Sequence, residues 1–352
     1  MKFRASRALA PLSCFVVLLL FTTSLRAWDY VGHRMVNQLA LADLPSDFPA
    51  FVREAAAAER IAFLAGEPDR WRNVDPWLRQ NGPSWTDHFL DAEQLEWAGL
   101  DPHALPSLRL DFAVAFAAAR AAHADRFPSV DPAKNADGVR QWPGFLPWSI
   151  TEWVHKLRSA FACLKAFEEM GGTAEEIANA RANVIYTMGV LGHYVGDSAQ
   201  PLHTTEHYNG WFGPNPQGYT TWRGMHSWVD SGFIAKAGIT DDLLKPRLKA
   251  PAAFVSGPRA DGRDPIFVVV MDWFLEQHAL VEPLYKMEKA GLLGHDEQPI
   301  TSEARTFFEG QLLRGGEMLA ALWVTAWQSA PLDTYLRGQL AKRQGINLPA
   351  DK

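Results

Sequence analysis

The sequence predicts a mainly α protein, folded as a single multi-helix domain with long loops. Apolar residues recur at helical spacing over several long segments, and strand-like alternation is scarce. The chain has 352 residues and 47% apolar content, enough to bury a large core.

The elements follow in order. Asp29 to Leu44 carries Val31, Met35, Leu39 and Leu41–Ala42 at helical spacing. Ser107 is placed to cap an alanine-rich helix from Leu108 to Ala124. Trp148 to Met170 follows Pro147 and brings Ile150, Trp153, Val154, Leu157, Phe161 and Leu164 close to a helical period. Ala174 to Asp197 continues with Ile177, Val184, Ile185, Met188 and Leu191, and Pro265 to Leu292 and Thr301 to Ala330 are two further long helices. Gly66 to Ser84, rich in Pro, Trp and charge, reads as a loop. So does Tyr208 to Gly224, whose glycines, prolines and aromatic residues suit a binding wall. Residues 337–352 read as a polar, loosely held tail.

The first 27 residues have the layout of a secretory signal: Lys2, Arg4 and Arg7, then the apolar run Phe15 to Phe21, then a cleavage region ending at Ala27. The domain is then expected to span 28–336, in a secreted or periplasmic protein, with an uncleaved anchor as the alternative. The apolar run is short for a membrane span. Cleavage would remove Lys2, Arg4, Arg7 and Arg26 and no acidic residue, taking the net charge from −6 to −10. Such a chain has no global attraction for nucleic acid or anionic lipid, so an anionic substrate must be held locally, by arginine or metal. Of the cysteines only Cys163 would remain, which excludes an intramolecular disulfide.

The richest chemistry lies between Leu191 and Asp230. His193 and Asp197 are four apart, which puts them on one helix face. Pro201 ends that helix and lets His203 turn back toward the same place. His226 and Asp230 repeat the spacing of four. Together they present five imidazole and carboxylate ligands without cysteine, a set that suits zinc in an open site better than a closed structural one. If the chain is cut after Ala27, Trp28 offers its α-amino group and carbonyl oxygen as a chelate, with His33 five residues on.

These residues resemble the zinc-dependent P1/S1 nuclease and bacterial phospholipase C superfamily. The family's HxxGDxxQPLH stands here as HYVGDSAQPLH from His193 to His203. The N-terminal Trp28, DHFLDAE around His88 and EPDRWR around Asp69 are further likenesses, and GEMLAALWVTAW resembles the family's last helix. The resemblance implies a helical, exported protein with three clustered zinc ions. One would be held by Asp69, His88, His193 and Asp197, a second by His203, His226 and Asp230. The third would be held by Trp28 and His33, with Asp197 bridging it to the first. Asp75 and Asp87 are alternatives to Asp69.

The same resemblance implies phosphodiester hydrolysis by a zinc-activated hydroxide. Asp91 would orient or deprotonate the water, Arg72 would hold the phosphate, and Phe89 would stack on a base. The implied substrate is single-stranded DNA, RNA or 3′-nucleotides, with no obligate protein partner. A phospholipid headgroup is the alternative substrate, since TTEHYNGW replaces the glycine-rich pattern expected after PLH and Ser231 replaces an expected Asn. A secreted zinc-binding helical protein without turnover is the remaining alternative. Glu206 and His207 stand close enough to the second group to join it if that site is remodelled.

Overall fold

A computed structural model describes residues 30–346, except 76, 79–82, 131–134, 136–139, 256 and 296. The expected signal segment 1–27 and Trp28 lie outside the described residues. The protein is mainly helical, and among the described residues the only extended pairings are isolated bridges, Leu90 with Gly144 and Tyr208 with Gly210.

The principal helices are α1 (Tyr30–Asp43), α2 (Ala55–Leu64), α3 (Glu67–Val74), α4 (Arg109–Ala122), α5 (Leu146–Glu169), α6 (Ala174–Ala199), α7 (Pro265–His278), α8 (Val281–Lys289), α9 (Ser302–Gln328) and α10 (Thr334–Arg343). Helix α6 is the axis of the fold and packs against α1, α2, α5 and α9. Its start is fixed by a capping box: Thr173 accepts the Glu176 amide hydrogen, and the Glu176 carboxylate accepts that of Thr173. Its first half is partly solvated, but from Thr187 to Gln200 every residue is buried. A helix end buried on all sides needs neighbours on all sides, and α1 and α9 supply two of them. Gly315 and Gly316 of α9 let Val36 and Leu39 of α1 come close, and both of these side chains are wholly buried. Each contributes about 1.5–3 kcal/mol by leaving water.

Several expectations change in detail. The stretch 66–84 contains α3, whose buried residues are Pro68, Asp69 and Arg72, two of the three charged. The long helix expected from Pro265 to Leu292 is two helices, broken at Ala279–Leu280. Ser107 does not cap α4; its hydroxyl accepts the amide hydrogen of Asp264 at 3.0 Å. The tail expected from residue 337 begins inside α10, where Leu340 and Ala341 are buried. No helix among the described residues is long and apolar enough to cross a membrane.

Candidate metal centre

Five chain segments converge on the buried end of α6. α1 brings His33 and α3 brings Asp69. A turn after the short helix Pro83–Thr86 brings His88. α6 itself carries His193 and Asp197, and the 3-10 turn Pro201–His203 carries His203. His226 comes from the short helix Met225–Ser227, and Asp230 from the π-helical turn Trp228–Gly232 that follows. A π turn inserted in a helix often marks a functional position.

Backbone contacts hold these segments in register. The Leu90 N–H donates to His203 O and the Ala92 N–H to Thr204 O, both at 3.1 Å, tying the His88 turn to the His203 turn. Phe89 O accepts from Leu146 N at 3.1 Å, and Gly144 (φ 104°) allows the approach, since a Cβ there would lie 2.0 Å from Phe89 O. Gly196 has a similar role on α6: a Cβ would meet His33 Nδ1 at 2.6 Å.

The donors form three groups, the first two sharing His193, each with its atoms within 4.8 Å of one another: His33, Asp69 and His193; His88, His193 and Asp197; and His203, His226 and Asp230. In the middle group, His88 Nδ1 is 2.9 Å from both Asp197 Oδ2 and His193 Nε2, and His193 Nε2 is 3.2 Å from Asp197 Oδ2. In the third, His226 Nε2 is 2.9 Å from Asp230 Oδ2. Asp197 joins the groups, with Oδ1 3.4 Å from His33 Nε2 and 3.5 Å from His203 Nδ1.

Hydrogen bonds around the cluster choose the tautomers. A carbonyl oxygen only accepts, so His193 Nδ1–H donates to Ala65 O (2.7 Å), His203 Nδ1–H to His88 O (2.7 Å) and His226 Nδ1–H to Tyr208 O (3.3 Å). Each leaves a bare Nε2 lone pair, the arrangement that orients metal-ligating histidines. Among the buried atoms left without a hydrogen-bond partner are both ring nitrogens of His33, Nε2 of His88 and His203, and Oδ1 of Asp197. Leaving such atoms unsatisfied costs about 1–3 kcal/mol each, and a bound cation would satisfy those that face it.

The electrostatics agree. Burial pushes the Asp197 carboxyl up, but His193, His203 and His88 outweigh it and hold it well below the usual range. Asp69 is likewise held low, mainly by Arg72 against the effect of burial. Burial and the Arg72 charge push His88 down to about 3, and burial lowers His33 and His203. Burial lowers His193 and His226 as well, but Asp197 and Asp69 outweigh it at the first and Asp230 at the second, so both are raised. A cation, which takes the place of those protons, favours the neutral imidazole and ionised carboxylate.

All the described metal-ligand candidates, His33, Asp69, His88, His193, Asp197, His203, His226 and Asp230, therefore come together. One assignment differs from expectation: Asp69 groups with His33 and His193, not with His88 and Asp197. The two alternatives to Asp69 are engaged elsewhere, Asp75 with the amides of Trp77 and Leu78, and Asp87 with Arg109. Arg72 is buried, with Nε and Nη2 at 2.7 and 2.6 Å from Asp69 Oδ1 and its guanidinium 5.0 Å from the Trp85 ring centre. Phe89 meets Trp85 edge-on at 6.5 Å. Asp91 accepts from Gln94 Nε2 at 2.9 Å, and burial, Glu93 and Glu206 push its carboxyl well up.

Glu206 and His207 do not join the second group. Glu206 lies beside Glu93, and His207 stacks on Trp211 at 3.8 Å. The sequence reading passed over Trp85, Tyr208 and Gln200. Trp85 lies one turn before His88, and Gln200 stands inside the motif itself. Tyr208, whose exposed ring meets His226 edge-on at 5.7 Å, had no local signal. No protein-family model matches the chain, and no curated protein matches it.

Proposed function

We propose that this chain is a trizinc phosphodiesterase of the P1/S1 nuclease type, hydrolysing single-stranded nucleic acid or 3′-nucleotides. The observation that carries the reading is the three adjacent, cysteine-free His/Asp groups joined through His193 and Asp197. Structural zinc sites are typically closed sets with cysteine, whereas catalytic sites use histidine and carboxylate. Zinc suits the donors and the spacing: the middle group's separations of 2.9, 2.9 and 3.2 Å are close to the ~3.3 Å between ligands held at about 2.0–2.1 Å around a tetrahedral ion.

Zinc bound here would supply Lewis-acid stabilisation of phosphoryl charge and lower the pKa of water. The rest falls to the chain. Asp69, Asp197 and Asp230 only partly offset three divalent charges, so a net acidic protein still offers a positive pocket. Arg72 is charged, buried and beside Asp69, and would engage a phosphoryl oxygen. Asp91 would orient water and take its proton; nearby cation charge favours the ionised carboxylate that this requires. Phe89 and Trp85 offer ring faces for a base. The phospholipase alternative draws on Val74 and Trp77, which are exposed at and just beyond the end of the helix carrying Asp69 and Arg72.

The test is zinc content together with activity, on protein exported with its natural N-terminus. About three zinc ions per chain and chelator-sensitive cleavage of single-stranded DNA or RNA support the nuclease reading. The same content with release of phosphocholine from phosphatidylcholine alone moves the chain to the phospholipase branch. Zinc without turnover of any substrate leaves a metal-binding helical protein, and no zinc refutes the metal reading.

A further inference from the structure

We infer that Gln200 is the positioning residue of the second metal group, a wholly buried amide that fixes both Asp230 and the turn carrying His203. The inference rests on the metal reading above and adds a residue to it. Gln200 is fully buried, and its side chain makes two hydrogen bonds with opposite polarity. Nε2 donates to Asp230 Oδ1 at 2.7 Å. Oε1 accepts the Leu202 N–H at 2.6 Å, closing the turn Pro201–His203 from its N-cap position. Its main chain completes the arrangement: Gln200 N donates to Asp197 O at 3.0 Å, and Gln200 O accepts from His203 N at 2.9 Å. One residue thus joins the end of α6, the His203 turn and the Asp230 carboxylate.

The chemistry requires this amide. Asp230 is wholly buried, and a carboxylate has two oxygens that compete for any cation. Engaging Oδ1 with Gln200 leaves Oδ2 toward His226 Nε2, without a hydrogen-bond partner of its own. Only a side chain with a donor and an acceptor on one planar head can hold Asp230 and Leu202 N–H together. Glutamate has the shape but lacks the donor, and would place a second carboxylate against Asp230 with no added cation. Residues that orient ligands in this way typically change metal affinity by about 10–100-fold when replaced.

The experiment compares wild type with Gln200→Glu, measuring zinc bound at equilibrium against graded free zinc, with far-UV circular dichroism of the metal-free proteins. The expected result is that Gln200→Glu binds one zinc about 10–100-fold more weakly and the remaining zinc as wild type does. Unchanged affinity for every zinc in folded Gln200→Glu overturns the inference, while absence of zinc from wild type refutes the metal reading instead. If Gln200→Glu does not fold, nitrogen-15-labelled wild type decides. The Gln200 side-chain amide protons should shift at the same zinc equivalent as the His203 and His226 rings. An amide that stays unmoved while those rings titrate overturns the inference.

Discussion

Replacing Gly196 by alanine should displace His33 and weaken its metal group while leaving the helix that carries Gly196 intact. The added Cβ would lie 2.6 Å from His33 Nδ1 and 3.2 Å from Cε1. Ordinary contact begins near 3.4 Å, so the ring must retreat by roughly 1 Å, as overpacked side chains do. It has little room to do so. His33 is wholly buried and stacked on His193 at 4.0 Å, and α1 is held against α9 by Gly315 and Gly316. Overpacking of this kind costs about 1–3 kcal/mol. A sound control is Gly310→Ala in α9, where a Cβ meets nothing within 4 Å. It should stabilise by roughly 0.5–1 kcal/mol through helix propensity. The assays are thermal unfolding of metal-free protein and metal content at limiting zinc. Gly196→Ala with wild-type stability and full metal content would refute the close-approach argument.

Other outcomes follow from the same geometry. Asp197→Asn removes the carboxylate that faces His33, His88, His193 and His203, so it should release more than one metal equivalent, whereas Asp230→Asn should release a single one; atomic emission after dialysis separates the two. Arg72→Lys keeps a charge beside Asp69 but not the planar fork. It should lower kcat on a phosphodiester by about 10-fold or more with metal content unchanged. Burial and Glu317 push Asp43 up to about 6. The folded chain therefore holds a proton that the unfolded chain has released between about pH 4 and 6, and Asp43 weakens the fold as pH rises through that window. Asp43→Asn should raise stability by about 1 kcal/mol at pH 7.5, after allowing for solvent screening, and have little effect at pH 4.5. An equal change in melting temperature at both pH values would contradict this.

Much of the molecule was legible because its helices are amphipathic and its candidate metal ligands lie in short local motifs. The His193–Asp197 and His226–Asp230 pairs were readable from spacing alone, because four residues return to one helix face. Helix α3 was not, because two of its three buried residues, Asp69 and Arg72, are charged and carry no apolar period. The break at Ala279–Leu280 was hidden for the opposite reason, since apolar residues continue through it. The grouping of His33 with Asp69 and His193 depends on how α1, α3 and α6 cross, which no local pattern encodes.

The position of the cluster has its own logic. It lies at the C-terminal end of α6, with Asp197 three residues before the helix gives way at Gln200. The aligned peptide dipoles leave partial negative charge at such an end, which favours cations. That end is also the part of α6 buried on every side, so donors gathered there are shielded from water and their interaction with a cation is stronger. The same burial makes the metal-free cluster costly, because imidazoles and carboxylates are packed together without enough hydrogen-bond partners. A cation bound there would reduce that cost and add charge stabilisation at the same point. Metal binding at these residues would therefore be coupled to folding, and the glycines at 144 and 196 are where the backbone makes room for them.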